Sequence, residues 1–190
     1  MSHVDASILG RISKLTIGGA IILILSFIYQ VGITANPQAF TSPTSATTTT
    51  AFYSVVRVVD GDTIVVSLDN VEEKIRLIGI NTPETVDPRR PVQCFGKEAS
   101  EQMKRLVESK LVRLEYDDSQ SYRDTYGRIL AYVYTEDGQM VNRKMIADGY
   151  AFEYTYMVPY AYQSEFRDLQ RFAKTNGRGL WSDATCNGEK

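Results

Sequence analysis

The chain has 190 residues, 43% of them hydrophobic and 23% charged, enough for one core-forming domain with extensions. Twenty-one basic residues against 23 acidic ones leave a net charge of −2, which excludes a protein that holds nucleic acid by a basic surface alone. The single histidine, His3, lies at the N-terminus, so the body of the chain has no Ser-His-Asp hydrolase, no histidine-ligated zinc and no histidine-based phosphodiester cleavage.

Residues 1–14 are polar and carry Arg11 and Lys14; residues 15–35 are apolar, with Gln30 the one strongly polar side chain. A run of about 20 apolar residues can cross a bilayer as a helix. The cationic flank places the N-terminus in the cytoplasm. An uncleaved signal-anchor is favoured over a cleaved signal peptide, whose apolar region is shorter and whose exit needs small residues where Ile33 stands. Either reading exports the remainder. Residues 36–51 are rich in Thr, Ser and Pro and read as a flexible tether.

The domain is expected over 52–182, with a short tail at 183–190. Residues 54–59, 63–68 and 73–80 read as three strands, joined by turns at Asp60-Gly61-Asp62 and Asp69-Asn70. A loop at 86–93 leads to a helix over 97–108, where Ala99, Met103, Leu106 and Val107 share one face. A fourth strand at 111–116, a polar loop at 117–127 and a fifth strand at 128–135 follow. A short helix at 141–148 stops at Gly149. A last helix at 160–174 aligns Tyr162, Phe166, Leu169 and Ala173, and Gly179-Leu180-Trp181 packs the chain end onto the body. This order describes a mostly β fold with added α: a five-stranded OB-type barrel with three helices, preceded by one transmembrane or signal segment.

Polar groups gather at the strand ends. Asp60 and Asp62 follow the first strand. Arg76, Asn81, Thr82 and Glu84 lie in Ile75-Arg76-Leu77-Ile78-Gly79-Ile80-Asn81-Thr82-Pro83-Glu84-Thr85, and Tyr126 and Arg128 precede the fifth strand. Asp62 and Asn81 are oxygen donors of the kind that hard cations take, and the Thr82 carbonyl can add another. Arginine grips phosphate bidentately and holds its charge. Glu84 is a carboxylate that can deprotonate a water. Each fragment alone is equally consistent with a structural turn or a surface arginine; the combination suits phosphodiester hydrolysis.

The chain resembles the staphylococcal nuclease (thermonuclease) family. The resemblance rests on Val-Asp-Gly-Asp-Thr at 59–63, the 75–85 stretch above, Phe-Gly-Lys-Glu-Ala-Ser at 95–100, Asp-Thr-Tyr-Gly-Arg-Ile-Leu-Ala-Tyr-Val-Tyr at 124–134, Val-Asn at 141–142 and Gly-Leu-Trp-Ser at 179–182. It covers residues 53–182. It implies an OB-type barrel with three helices that cuts DNA and RNA with one calcium ion. By position it implies that Asp62 and the Thr82 carbonyl bind metal, that Arg76 and Arg128 are catalytic arginines, and that Glu84 activates the water. Tyr126 matches a tyrosine near the bound nucleotide. Tyr154 and Tyr156 lie where the family stacks tyrosines on bases, across an alignment gap. Asn81 stands where the family has a second metal-binding aspartate; the uncharged oxygen implies weaker or altered metal binding.

Cys94 and Cys186 are either two free thiols or one disulfide, and export favours the bridge. The expected protein is an exported, membrane-tethered, monomeric calcium-dependent nuclease of low sequence specificity, with DNA or RNA as its partner. The competing reading is a non-catalytic OB-type module on the same tether that binds nucleic acid or protein. Retention of Asp62, Arg76, Glu84 and Arg128 favours the enzyme.

Overall fold

The computed structural model describes residues 51–85 and 91–189. The apolar run at 15–35 and nearly all of the spacer lie outside the described residues. Among the described residues no helix is long and apolar enough to cross a membrane.

Five strands close into a barrel: β1 (Tyr53–Val58), β2 (Thr63–Leu68), β3 (Val71–Leu77), β5 (Leu111–Glu115) and β6 (Ile129–Thr135), in the order β1-β2-β3-β6-β5. β3 and β6 run parallel, the other neighbours antiparallel, and β1 pairs with β5 to close the ring. β-branched residues fill these strands because a pleated, half-buried surface suits them. Asp69 and Asn70 both take positive φ, 49° and 65°, which gives the two-residue hairpin its twist between Leu68 and Val71. Ile64, Ile75, Leu77, Ile129 and Ala131 line the barrel core and are fully buried.

Three helices pack on the barrel: α1 (Gly96–Val107), α2 (Val141–Ala147) and α3 (Gln163–Thr175). The face expected of α1 is buried, with Ala99, Met103, Leu106 and Val107 against the core. Asn142 of α2 is fully buried and satisfied twice. Its Nδ2 donates to the Ile78 carbonyl at 2.8 Å and its Oδ1 accepts from the Val133 N–H at 2.9 Å. A buried carboxamide used this way pins α2 to β6 and to the exit of β3. The chain end forms a short 3-10 turn (Gly179–Trp181) that buries Leu180.

Two elements differ from the sequence reading. The third strand ends at Leu77 rather than at residue 80. A separate two-residue strand, β4 (Ile80–Asn81), pairs instead with β7 (Phe152–Glu153) in a second small sheet. The last helix begins at Gln163, because Tyr160 is buried outside it with its hydroxyl on Glu153 and on the Gly79 carbonyl.

Cys94 and Cys186 are joined by a disulfide across 92 residues of sequence. Closing so long a loop restricts the unfolded chain, which in the chain-entropy account stabilises the fold by about 4–5 kcal/mol. Replacing Cys94 and Cys186 by serine is therefore expected to lower the urea midpoint, and an unchanged midpoint contradicts this account.

Candidate active site

One cleft of about 400 Å³ opens at the end of the barrel. It is lined by all nine residues expected to bind metal or substrate or to catalyse: Asp62, Arg76, Asn81, Thr82, Glu84, Tyr126, Arg128, Tyr154 and Tyr156. Cys94 and Cys186 do not line it.

Asp62, the residue just before β2, is buried and accepts from several directions. Its Oδ1 takes the Thr63 hydroxyl at 3.0 Å. Its Oδ2 takes the Thr82 N–H at 2.9 Å and the Thr82 hydroxyl at 3.3 Å, and lies 3.2 Å from an Arg76 nitrogen. Gly61 makes this crossing possible, because a Cβ there would meet the Thr82 side chain at 2.7 to 2.9 Å.

Arg76 projects from β3 and is nearly buried, with 11% of its side chain exposed. One terminal nitrogen donates to the carbonyls of Leu77 and Ile80 at 2.7 and 2.8 Å. The other faces Asp62 and lies 3.4 Å from the Asn81 side-chain oxygen. The two carbonyls hold the guanidinium in place before any ligand arrives. Arg128, at the entry to β6, is held by Asp124, whose Oδ2 receives Nε and a terminal nitrogen at 2.7 Å each. Burial alone raises the Asp124 carboxyl, but hydrogen bonds from the Arg128 side chain and main chain outweigh it and hold the group below its ordinary value.

Asp60 sits beside Asp62 and its Oδ1 accepts the Asp62 N–H at 3.0 Å. Its carboxyl is pushed up to about 7, first by burial and next by the negative charge of Asp62. Asp62, Asn81 and Thr82 line the cleft together, and their carboxylate, carboxamide and main-chain oxygens are a donor set that fits a hard divalent cation. Among the described residues no three His, Cys, Asp or Glu side chains cluster as a metal cage. A cation here would therefore draw on carboxamide, main-chain and water oxygens as well.

Three tyrosines rim the cleft. Tyr126 is 83% exposed, with the Arg128 guanidinium 5.4 Å from its ring centre. Tyr154 and Tyr156 are exposed side by side, their ring centres 6.4 Å apart. Such rings present open π-faces to a base. Their segment is anchored at both ends. Glu153 accepts from the Thr155 hydroxyl at 2.6 Å and the Tyr160 hydroxyl at 3.0 Å. Asp117 accepts from the Tyr132 hydroxyl at 2.6 Å, the Ala161 N–H at 2.8 Å and Ser119. The Ser119 hydroxyl and the Gln120 amide reach the Pro159 carbonyl. Sequence reasoning assigned no role to Asp124, Asp117 or Glu153. For Asp124 a signal was present: an aspartate three residues before Gly127 suits a tight turn.

The family pattern described as staphylococcal nuclease homologue matches residues 74–183, more than half of the chain. The chain belongs to the staphylococcal nuclease family. The thermonuclease of Staphylococcus hyicus is 37% identical to it over 170 residues, covering 90% of this chain and 99% of that protein. The thermonuclease of Staphylococcus intermedius is 42% identical over 129 residues, covering 68% of this chain and 75% of that one. Endonuclease YncB of Bacillus subtilis (strain 168) is 39% identical over 127 residues, or 66% of this chain and 59% of its own length. The family match takes in the end of β3, β5, β6 and all three helices, and with them Arg76, Asn81, Glu84 and Arg128; β1, β2 and Asp62 precede it.

The Asp117 anchor has a consequence for pH. Burial raises its carboxyl, but hydrogen bonds from Ala161, Tyr132 and Ser119 outweigh it and hold the group below its ordinary value. A carboxyl depressed by folding contributes stability that is fully present above its unfolded value and is lost as pH falls through its folded value. Asp117→Asn is expected to lower stability at pH 7. It is also expected to flatten the loss of stability on acidification below about pH 4, followed by urea unfolding at each pH.

Proposed function

We propose that the chain is a calcium-dependent nuclease that hydrolyses phosphodiester bonds in DNA, RNA or both, with low sequence specificity. The observation that carries this reading is the convergence of Arg76, Arg128, Glu84 and the Asp62–Asn81 oxygens on one cleft rimmed by exposed tyrosines. The relatives named thermonuclease and endonuclease support it.

In this reading Asp62, Asn81 and the Thr82 carbonyl would hold one calcium ion, which when bound would supply positive charge to offset the charge that builds on the phosphate. The other steps belong to the chain's own residues. Arg76, held by two carbonyls, presents its remaining donors to a non-bridging phosphate oxygen. Arg128 exchanges part of its contact with Asp124 for a second phosphate oxygen as charge builds there. Glu84 takes a proton from the water that attacks phosphorus, and the P–O bond to the leaving oxygen breaks. Tyr126, Tyr154 and Tyr156 stack on bases. Stacking is sequence-tolerant, which accounts for low specificity. We further propose that the apolar run at 15–35 exports and tethers the domain outside the cytoplasm as a monomer.

Glu84→Ala tests the assignment. It is expected to lower kcat on DNA about 10²–10³-fold in saturating calcium, as loss of a general base does. Retention of wild-type kcat contradicts it. Asn81→Asp adds a charged oxygen and is expected to lower the calcium concentration needed for half-maximal cleavage; an unchanged calcium requirement removes Asn81 from the metal.

A further inference from the structure

Glu84 opens the segment leading to α1, and its main chain is gripped from the far end of that segment by one residue. Gln93 reaches back with both side chain and main chain. Its Oε1 accepts the Glu84 N–H at 2.6 Å, and its own N–H donates to the Glu84 carbonyl at 2.9 Å. Both main-chain polar groups of Glu84 are thus satisfied by a residue nine positions on.

The clamp is itself fixed on two sides. The Gln93 carbonyl accepts the N–H of Gly96, the first residue of α1, at 3.1 Å. Its neighbour Cys94 is bonded to Cys186. At Gly96 a Cβ would meet Thr85 Cγ2 at 2.6 Å and the carbonyl oxygens of Pro83 and Glu84 at 3.0 and 3.2 Å, so residues 83–85 lie flat against the helix start. Glu84 Oε1 also accepts the N–H of Thr85 at 2.9 Å. The main chain that aims Glu84 into the cleft is therefore set by Gln93 and Gly96.

We propose that Gln93 is a positioning residue for Glu84: its carboxamide oxygen, by holding the Glu84 N–H, fixes the direction in which the Glu84 carboxylate meets its water. This rests on the reading of Glu84 as the carboxylate that manages that water. Gln93 touches neither substrate nor metal in this account and acts through Glu84 alone. Small displacements of a general base are costly, since a shift of about 1 Å can remove 10²-fold in rate.

The test is a double-mutant cycle on the full chain, with initial rates on a fluorescent DNA oligonucleotide in saturating calcium. Glu84→Gln is measured first. If it retains wild-type kcat, the reading of Glu84 fails and the inference falls with it. Gln93→Met keeps the size of the side chain and removes the acceptor. It is expected to lower kcat about 10-fold with KM altered less than about twofold. Gln93→Glu keeps an acceptor at the same reach and is expected to stay within about threefold of wild-type kcat. In the Glu84→Gln background, Gln93→Met is expected to cost no more than about twofold, because the group it positions is already disabled. Should Gln93→Met not fold, Gln93→Asn, too short to reach the Glu84 N–H, replaces it in the same cycle. Unchanged kcat in the acceptor-free variant overturns the inference while leaving the function intact. So does an equal fractional loss in both backgrounds, or a loss in Gln93→Glu as large as in Gln93→Met.

Discussion

The cleft depends on where the Asp62 carboxylate goes. A buried carboxylate is tolerable only when its oxygens are paired and hydrogen-bonded. Asp62 meets that need with the Thr63 hydroxyl, both donors of Thr82 and the Arg76 guanidinium. The contacts join the start of β2 to the far end of the β3–β4 segment, 20 residues on. They also place a carboxylate, an arginine and the Asn81 carboxamide within reach of one another. Gly61 leaves the space in which Thr82 crosses. Remove the Asp62 carboxylate and Arg76 loses its charged partner, while the Thr82 N–H and hydroxyl lose the acceptor they share.

The rest of the cleft repeats that logic with other pairs. Asp124 holds Arg128 as two main-chain carbonyls hold Arg76. Each arginine has a carboxylate beside it, Asp62 for Arg76 and Asp124 for Arg128, and Arg76 is fixed by two neutral carbonyls as well. A protein of net negative charge can present positive charge to an anion in this way, through two guanidiniums that line one cleft. The tyrosine rim needs no charge; Glu153 and Asp117 anchor its segment on opposite sides.

Much of the fold was legible because its signals are local. Runs of Val, Ile and Leu bounded by Asp-Gly and Asp-Asn specify the first two strands and their turns, and the 3.6-residue period specifies α1. The break after Leu77 was not legible. Ile75 to Ile80 is one strand-forming run apart from Arg76 and Gly79, and what ends β3 is pairing of Ile80 and Asn81 with Phe152 and Glu153, more than 70 residues away in sequence. Tyr160 fits the helical period but is drawn out of α3 by two hydrogen-bond acceptors that no period reveals. Seven of the cleft residues were legible through their motifs, and Tyr154 and Tyr156 only by their place across an alignment gap. Their supports were not, because Gln93, Asp117 and Glu153 are ordinary polar residues until their partners are known. Asp117 receives Tyr132 and Ala161 from 15 and 44 positions downstream, a relation carried only by the fold.

Calcium-dependent hydrolysis of phosphodiester bonds in this cleft is read by incubating the full chain with single-stranded DNA and with RNA, in calcium and in excess chelator, and resolving the products by size. The account predicts fragments of at least one of the two substrates in calcium and none in chelator. Intact substrate under both conditions, or fragments formed equally with chelator, would contradict it.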